Sequence, residues 1–268
     1  MTSLRIVDAG WCTTVQDAGR LGAGALGVPR AGPVDVPAHH RANRLVGNPA
    51  ECAALETAGA LVVEALTPLV VATSAEGQRH TLRPGQRLTV APAPDMQWAY
   101  LSARGGLLGE VVLGSRSHDT LSGLGPAPIR RGDELAVGPD PGLDMPTDLA
   151  PARRSEEPIR LWPAPRHPEA LHPFTTVSWR VKDEVSRVGT RLEAVSAPPD
   201  GSPEVPSRGP SEGLVVGAIQ LTPSGEPIVM LADHPTTGGY PVIGVVEPSD
   251  VGRVAQSTPG THLRFRPA

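Results

Sequence analysis

A group of polar and reactive side chains lies between two short apolar runs in the last third of the sequence. The runs, 228–231 and 242–246, are rich in β-branched residues, which is typical of buried strands. Between them, residues 233–241 read Asp-His-Pro-Thr-Thr-Gly-Gly-Tyr-Pro. The adjacent glycines allow the backbone to approach a ligand closely, because neither has a Cβ. The pattern predicts a ligand site on a rigid scaffold, with an ordinary polar loop as the alternative.

Other polar clusters could contribute to such a site. They are Gln16, Asp17 and Arg20 in a predicted loop, Asn43 on a predicted helix, Arg187 and Arg191 around Gly189, and Gln220 at the end of a predicted strand. Arginine can hold a carboxylate through two parallel hydrogen bonds, so these positions suit an anionic or strongly polar ligand. The alternative for each cluster is a buried polar group that ties loops together.

Motifs of other chemistries are absent or out of context. Residues 22–27 spell G-x-G-x-x-G, but no strand precedes them and Val28-Pro29 does not open a helix, which disfavours a dinucleotide site. The sequence has no P-loop and no Cys/His cluster, so no metal site is predicted. Residues 115–118 place two serines near a histidine in sequence, but adjacency is not a nucleophile–base geometry. His39-His40 is interpreted as a solvated pair.

Composition and charge exclude several classes of protein. The 268 residues carry a formal net charge of −4 with no basic block, which argues against nucleic acid as a partner. The two cysteines, Cys12 and Cys52, form no metal-ligand spacing, so we expect reduced thiols and a cytoplasmic location. The first ten residues lack an apolar signal region, and no apolar run is long enough for a bilayer, so no membrane association is expected.

Many short strands separated by glycine and proline predict an all-β fold with a few short helices. Predicted strands cover 4–7, 53–56, 61–65, 69–72, 87–90, 98–102, 111–113, 159–162, 175–181, 213–221, 227–231, 242–246 and 263–265. Helices are predicted at 37–46, with Asp35 as a possible cap, and at 248–256.

A proline-rich segment divides the sequence into two β-rich lobes. Residues 138–158 contain five prolines among polar residues, which is typical of a linker. We therefore predict an N-terminal lobe at 1–137, a linker at 138–158 and a C-terminal lobe at 159–268. Residues 198–210 are predicted to form a Pro/Ser loop.

The polar clusters, in this order, resemble one known family. The matching segments are 13–20, 27–35, 42–48, 54–57, 113–117, 186–193, 217–220, 233–241, 255–256 and 259–265. They resemble the allophanate-hydrolase-subunit-2 family, which includes the C subunit of bacterial 5-oxoprolinase, the KipA protein and part of the carboxyltransferase region of urea carboxylase. Two turns depart from its pattern, at Ala164-Pro165 and at 123–126.

The resemblance implies an all-β fold with a cyclophilin-like β-barrel in the C-terminal half. It implies a component of an ATP-dependent 5-oxoprolinase, which hydrolyses the lactam 5-oxoproline to L-glutamate. The expected partners are a homologous subunit-1 chain (the B subunit, or KipI-like) and a LamB/YcsF-type A subunit, with activity only in the complex. ATP is expected in that complex.

Two alternatives stay open within the same family. One is a carboxyltransferase half-site of a biotin-dependent urea or amide carboxylase. This chain has no Met-Lys-Met biotin-attachment motif, so biotin would come from another chain. The other is a non-catalytic, KipA-like regulator that binds a kinase-inhibitor partner.

The 5-oxoprolinase hypothesis assigns roles to the polar clusters. Its catalytic residues are Asp233, Arg187 and Arg191, which would act as a base or stabilise developing charge. The residues assigned to substrate binding are Gln220, Thr236, Thr237, Gly238, Gly239, Tyr240, Asn43 and Gln16.

Overall fold

The computed structural model describes residues 2–146, 155–195 and 209–268. Among these residues most elements are strands, with three α-helices and two short 3-10 helices, which confirms the predicted all-β class. The chain divides into two compact units. The first comprises Met1–Gly22 and Arg30–Arg153, and the second comprises Ala23–Pro29 and Arg154–Ala268.

The first unit contains two antiparallel sheets and one α-helix. Its elements are β1 (Thr2–Asp8), β2 (Thr14–Gln16), α1 (Val36–Leu45), β3 (Ala54–Thr57), β4 (Leu61–Ala65), β5 (Leu69–Thr73), β6 (Gln78–Leu82), β7 (Arg87–Val90), β8 (Ala99–Ala103) and β9 (Glu134–Val137). One sheet has four strands in the order β7-β4-β1-β9. The other has five in the order β2-β3-β8-β5-β6.

Alternating apolar residues of both sheets form one shared core. In β1, Leu4 and Ile6 are buried while Arg5 between them is exposed, as expected for a strand with one face covered. The same cluster contains Leu61 and Val63 from β4 and Leu55 and Leu101 from the five-stranded sheet. The two sheets therefore pack face to face.

Helix α1 covers the other face of the five-stranded sheet. The Asp35 carboxylate caps it by accepting a hydrogen bond of 3.1 Å from the Ala38 amide, and Pro37 occupies its first turn. Ala38 and Ala42 pack on Tyr100 of β8. All of β8 is consequently buried.

The second unit contains one large sheet, a small hairpin and two α-helices. It begins with the 3-10 helix Ala23–Leu26 and continues with β10 (Ile159–Pro163), the 3-10 helix Pro168–Ala170, α2 (Leu171–Thr176), β11 (Trp179–Val185), β12 (Gly189–Ala194), β13 (Glu212–Gly213), β14 (Ala218–Leu221), β15 (Pro227–Met230), β16 (Thr237–Gly238), β17 (Val242–Val246), α3 (Pro248–Ala255), β18 (His262–Leu263) and β19 (Phe265–Pro267). Strands β13 and β16 pair with each other.

The large sheet is a nearly closed barrel. Its eight strands run in the order β18-β11-β12-β15-β14-β17-β10-β19. The two edge strands, β18 and β19, are separated in sequence only by Arg264, so the chain passes directly from one edge to the other. Leu161, Leu192, Ile219 and Val229, one on each of four strands, are fully buried. The predicted barrel in this half is confirmed, while its likeness to cyclophilin stays a prediction.

Two predicted strands are wrong. Residues 111–113 form a tight turn instead, in which Leu113 and Gly114 both have positive φ and Val112 bridges to Ser115. The run 175–181 is split: helix α2 ends at Thr176, and β11 begins at Trp179. The Trp179 indole N–H donates to the Phe174 carbonyl over 2.9 Å. This bond stabilises the turn between α2 and β11.

Other boundaries differ from the predicted ones. The run 213–221 contains β13 and β14, separated by a turn at Gly217 with a φ of 85°. The sequence prediction missed β2 and β6, because neither has an apolar run. Residues 23–29, predicted in the first lobe, belong to the second unit. The linker at 138–158 and the loop at 198–210 stay predictions, since 147–154 and 196–208 lie outside the described residues.

Gly105 tests how tightly the first unit is packed. Its φ is 100°, and a Cβ there would lie 2.2 Å from the Gly138 carbonyl oxygen. At Gly132, whose φ is 93°, a Cβ would have no atom within 4 Å. We predict that Gly105→Ala lowers the free energy of unfolding by about 1–3 kcal/mol more than Gly132→Ala, because only the first substitution adds a clash. Urea unfolding measures both, and equal losses would contradict the packing argument.

Candidate functional site

The conspicuous segment 233–241 leaves the barrel beside β12. The pairing of β12 with β15 continues past the strand ends, because the Leu231 amide donates to the Val188 carbonyl and the Asp233 amide to the Arg187 carbonyl, each over 3.0 Å. The start of the segment is thereby tied to the loop between β11 and β12.

Asp233 and Arg187 form a fully buried ion pair. The guanidinium donates from Nε to Oδ2 and from Nη2 to Oδ1 of the carboxylate, each over 2.9 Å. Both side chains are completely shielded from solvent. Two parallel hydrogen bonds fix the carboxylate in orientation as well as position. This arrangement suits a positioning role for Asp233, and a role as a general base stays a prediction.

The rest of the segment forms a short two-stranded antiparallel sheet with residues 212–213. We call this pair the hairpin, although β14 and β15 separate its strands in sequence. Glu212 and Gly213 pair with Gly238 and Thr237, and the Leu214 amide bonds to the Thr236 carbonyl. Leu214 then packs against an apolar cluster on the sheet that contains Ala218 and Met230.

Gln220 reaches this hairpin from the sheet. Its Nε2 donates to the Tyr240 carbonyl over 3.1 Å. A Cβ at position 238 would lie 2.4 Å from the same nitrogen, so only glycine leaves room for the Gln220 amide. The sequence-predicted residues Gln220, Gly238 and Tyr240 are therefore brought together, with Thr236, Thr237 and Gly239 in the same hairpin.

Arg191 lies across the sheet from Gln220. Both residues pair with Ile228 of β15, Arg191 from β12 and Gln220 from β14, so their side chains share one face. The Arg191 guanidinium forms an ion pair of 2.7 Å with Glu184 and is 40% exposed. An exposed pair of this kind is weak, which leaves the guanidinium available to a ligand.

Gln16 and Asn43, the remaining predicted site residues, belong to a buried network of the first unit. The Gln16 side chain donates to Thr14 Oγ1 and to the His118 carbonyl, each over 2.9 Å. Asn43 donates to the carbonyls of Ala50 and Cys52. Both amides hold loops in place, and their assigned roles in substrate binding stay predictions.

His39 lies in the same network and is fully buried, so the prediction of a solvated His39-His40 pair is wrong for this residue. Its Nε2 lies 3.1 Å from the Gln16 carbonyl oxygen, which can only accept, so Nε2 carries the proton. Nδ1 has no partner among the described residues. Burial lowers the pKa of His39 from 6.5 to about 4, and the ring is neutral at pH 7.

Residues 17 and 115–117 form an interaction that is not predicted from the sequence. Asp17 accepts hydrogen bonds from the hydroxyls of Ser115 and Ser117 and from the amides of Gly19 and Arg116. Burial by itself raises the pKa of Asp17, but these four donors hold it below its usual value. We call this arrangement the Asp17 clasp. Both segments were noted as motifs, but nothing in their sequence spacing shows that they meet.

Cavities also occur among the described residues of the first unit. One, of about 290 Å³, is lined by Asp17, Pro49, Glu51, Cys52, Ala53, Gly105, Gly106, Leu107, Leu108 and Arg116. Another, of about 310 Å³, is lined by Arg44, Gly47, Asn48, Leu143, Asp144 and Pro146. Of the eleven site residues predicted from the sequence, none lines either cavity.

Within the described part of the chain, no group of three or more His, Cys, Asp or Glu side chains could hold a metal ion. The described helices include none that is long and apolar enough to cross a membrane.

Most of this chain matches one known family. The family model of the carboxyltransferase domain, subdomain A and B, matches residues 26–267. The chain belongs to this family. The resemblance inferred from the sequence motifs is thereby confirmed.

Individual members of the family span both enzyme classes considered above. The 5-oxoprolinase C subunit of Escherichia coli K12 is 32% identical over 283 residues, which cover 98% of this chain and 90% of the relative. Urea amidolyase of Lachancea kluyveri is 28% identical over 99% of this chain, but over only 17% of its own length. A crystal structure of a protein named TTHA0988 superposes with a TM-score of 0.88 at 32% identity. The match covers 99% of this chain and 56% of that one.

The buried ion pair generates a stability prediction. Asp233→Asn keeps the side-chain size but leaves the Arg187 guanidinium without its counter-charge inside the protein. We expect a loss of roughly 3–5 kcal/mol in the free energy of unfolding, which urea titration measures. Glu226→Gln breaks the more exposed Lys182–Glu226 pair and serves as the control, with a much smaller loss. Equal losses would mean that the buried pair has no special structural role.

His39 generates a pH prediction. Above pH 6.5 the ring is neutral in both states and contributes no pH dependence. Between pH 6.5 and about 4 the unfolded chain binds a proton that the folded protein does not, so stability falls as the pH falls. The loss attributable to this group by pH 4 is about 3 kcal/mol. In His39→Leu the slope of unfolding free energy against pH should flatten in this window. An unchanged slope would show that His39 titrates alike in both states.

Proposed function

We propose that this chain is one component of an ATP-dependent 5-oxoprolinase. Together with a homologous subunit-1 chain, it would hydrolyse 5-oxoproline to L-glutamate. The observation that carries the proposal is the 32% identity to a 5-oxoprolinase C subunit over nearly the full length of both chains. The urea amidolyase match is weaker and covers a small part of a much longer protein.

The reaction sets clear chemical demands. A lactam carbonyl is a poor electrophile, because the ring nitrogen donates electron density into it. Transfer of the ATP γ-phosphoryl group to the carbonyl oxygen, with release of ADP, makes the carbon open to water. Attack by water gives a tetrahedral intermediate that expels the ring nitrogen, which takes up a proton and leaves an acyl phosphate. A second water then hydrolyses this acyl phosphate to glutamate and phosphate. Negative charge develops on oxygen in these steps, so the site needs fixed donors and cations.

The hairpin on the second unit offers such groups. The backbone of Gly239 has no Cβ that would keep a small ring away, while at Gly238 the Gln220 amide takes the space of a Cβ. Gln220 fixes this backbone through its bond to Tyr240, and the buried Arg187–Asp233 pair fixes the point where the segment leaves the barrel. Arg191, on the same face as Gln220, supplies an accessible positive charge. We assign Thr236 and Thr237 to substrate contacts.

ATP is proposed for the complex rather than for this chain alone. The sequence has no P-loop, and its single lysine, Lys182, is engaged by Glu226 on the barrel. Neither observation points to a nucleotide site among the described residues, and no step is assigned to a nucleotide bound here. The homologous subunit-1 chain and a LamB/YcsF-type A subunit are proposed as partners. A cytoplasmic location also belongs to the proposal, motivated by the two cysteines, neither of which forms a disulfide.

The test is co-purification with the subunit-1 chain and the LamB/YcsF-type chain, followed by measurement of ATP-dependent conversion of 5-oxoproline to glutamate. Gln220→Leu removes the amide donor at nearly the same size, so the hairpin loses its tie to the sheet. We predict a fall in turnover of about tenfold or more with an intact complex. Glu226→Gln, on the same barrel but away from the hairpin, is the matched control and should retain full turnover.

Two results would count against the proposal. One is a complex that binds all three chains yet hydrolyses no 5-oxoproline. The other is full turnover by the isolated chain, because the described residues contain no ATP site of their own.

Carboxyl transfer is the second candidate function, and the matching family model favours it. The single lysine lies in Val-Lys-Asp rather than in a biotin-attachment motif, so carboxybiotin would have to arrive on another chain. Bicarbonate- and ATP-dependent carboxylation of urea by the complex, without 5-oxoproline turnover, would establish this alternative instead.

A further inference from the structure

The smaller cavity of the first unit has walls that polar contacts hold in place. We call it the Cys52 cavity. Asn43 fixes one wall by donating to the Ala50 and Cys52 carbonyls, the latter over 2.7 Å. Asn48 fixes the opposite wall, since its Oδ1 accepts from the Gly105 amide over 2.8 Å. A preformed cavity of about 290 Å³ remains between them.

Arg116 gives this cavity a guanidinium, beside the carboxylates of Asp17 and Glu51. Its backbone amide bonds to Asp17 Oδ2, but its guanidinium makes no hydrogen bond or ion pair with any residue of the described ranges. Nε is shielded from solvent and has no partner there. The Asp17 carboxylate lines the same cavity, yet the clasp already supplies it with four donors. The two Nη nitrogens have no partner in these ranges either, and they are the donors that remain for a ligand in the cavity.

The rest of the lining restricts what such a ligand can be. Leu107, Leu108 and Pro49 provide apolar wall, which suits a small hydrocarbon body. Glu51 contributes a second carboxylate, which opposes a ligand with several negative charges. The volume is at the low end for ligand pockets, well below what a nucleotide needs.

We propose that the Cys52 cavity binds a small monocarboxylate through the Arg116 guanidinium. The carboxylate accepts hydrogen bonds from Arg116, and the apolar body rests against Leu107 and Leu108. This proposal concerns the first unit alone and does not depend on the 5-oxoprolinase proposal. Its test uses the full isolated chain and needs no turnover.

Cys52 makes the proposal testable, because its thiol lines the same cavity. Iodoacetate and iodoacetamide both alkylate a thiolate: the sulfur forms a bond to the CH₂ carbon, and iodide leaves. They differ in that only iodoacetate carries a carboxylate. Burial, together with the charge of Glu51, raises the pKa of the Cys52 thiol, but both reagents need the same thiolate. The effect of the thiol pKa cancels in the ratio of the two rates. The ratio therefore reports recognition of the carboxylate.

The ratio of iodoacetate rate to iodoacetamide rate is measured at Cys52 and at Cys12 by peptide mass spectrometry. Cys12, which like Cys52 forms no disulfide, is the internal control. We expect the ratio at Cys52 to exceed that at Cys12 by about tenfold, as one charge-assisted hydrogen bond provides. Arg116→Gln should lower the Cys52 ratio to the Cys12 value, while Arg44→Gln, in the second cavity, should leave it unchanged.

Competition with an isosteric pair completes the test. Propionate should slow the reaction of Cys52 with iodoacetate in the wild-type chain, propionamide should not, and Arg116→Gln should abolish the effect. Equal ratios at both cysteines, or a ratio that Arg116→Gln leaves unchanged, would overturn the proposal. So would protection by inorganic phosphate as strong as that by propionate, since the cavity would then be a general anion site.

Discussion

The buried pair of Arg187 and Asp233 determines the geometry of the second unit around its conspicuous loop. A charge inside a protein is tolerated only with a partner, and each of these residues supplies the other's. Because Arg187 precedes β12 and Asp233 follows β15, the pair clamps two strand ends together at one place. The chain can then leave the sheet in only one direction. Everything that the hairpin offers, including the Gly238 backbone beside Gln220, depends on that exit.

Buried charges in the first unit also have partners, but these partners are uncharged groups. Among the described residues, no cationic side chain bonds to Asp17, which is satisfied by two hydroxyls and two backbone amides. Arg20, almost fully buried, bonds the carbonyls of Val112 and Ser117. Arg187 and Asp233 thus pair directly in the second unit. In the first unit, Asp17 and Arg20 bond to serine hydroxyls and backbone groups instead. One consequence is that Arg116 is left with a guanidinium free for a ligand.

How much of this could be predicted from sequence depended on the range of the contacts. Helix α1 was predictable because Asp35, Pro37 and Gly47 act locally on its ends. The membership of Gln220 and residues 233–241 in one neighbourhood followed from the family motifs. The partner of Asp17 could not be predicted, since about a hundred residues separate it from Ser115 and no periodicity links them. The burial of His39 could not be predicted for a related reason. It depends on Tyr100 and strand β8, which lie far away in sequence.

Closure of the barrel affects how the second unit is synthesised. Both flanking strands of the large sheet come from residues 262–267, and β10 and β11 have no partner on those sides until these residues exist. A ribosome must therefore release nearly all of this unit before β10 and β11 gain these partners. Unpaired edges attract other strands, so the nascent chain is exposed to misassembly for longer than a barrel built from successive hairpins. Arg264 carries the chain from one edge to the other, and β10 is covered only when β19, which follows it, has been made.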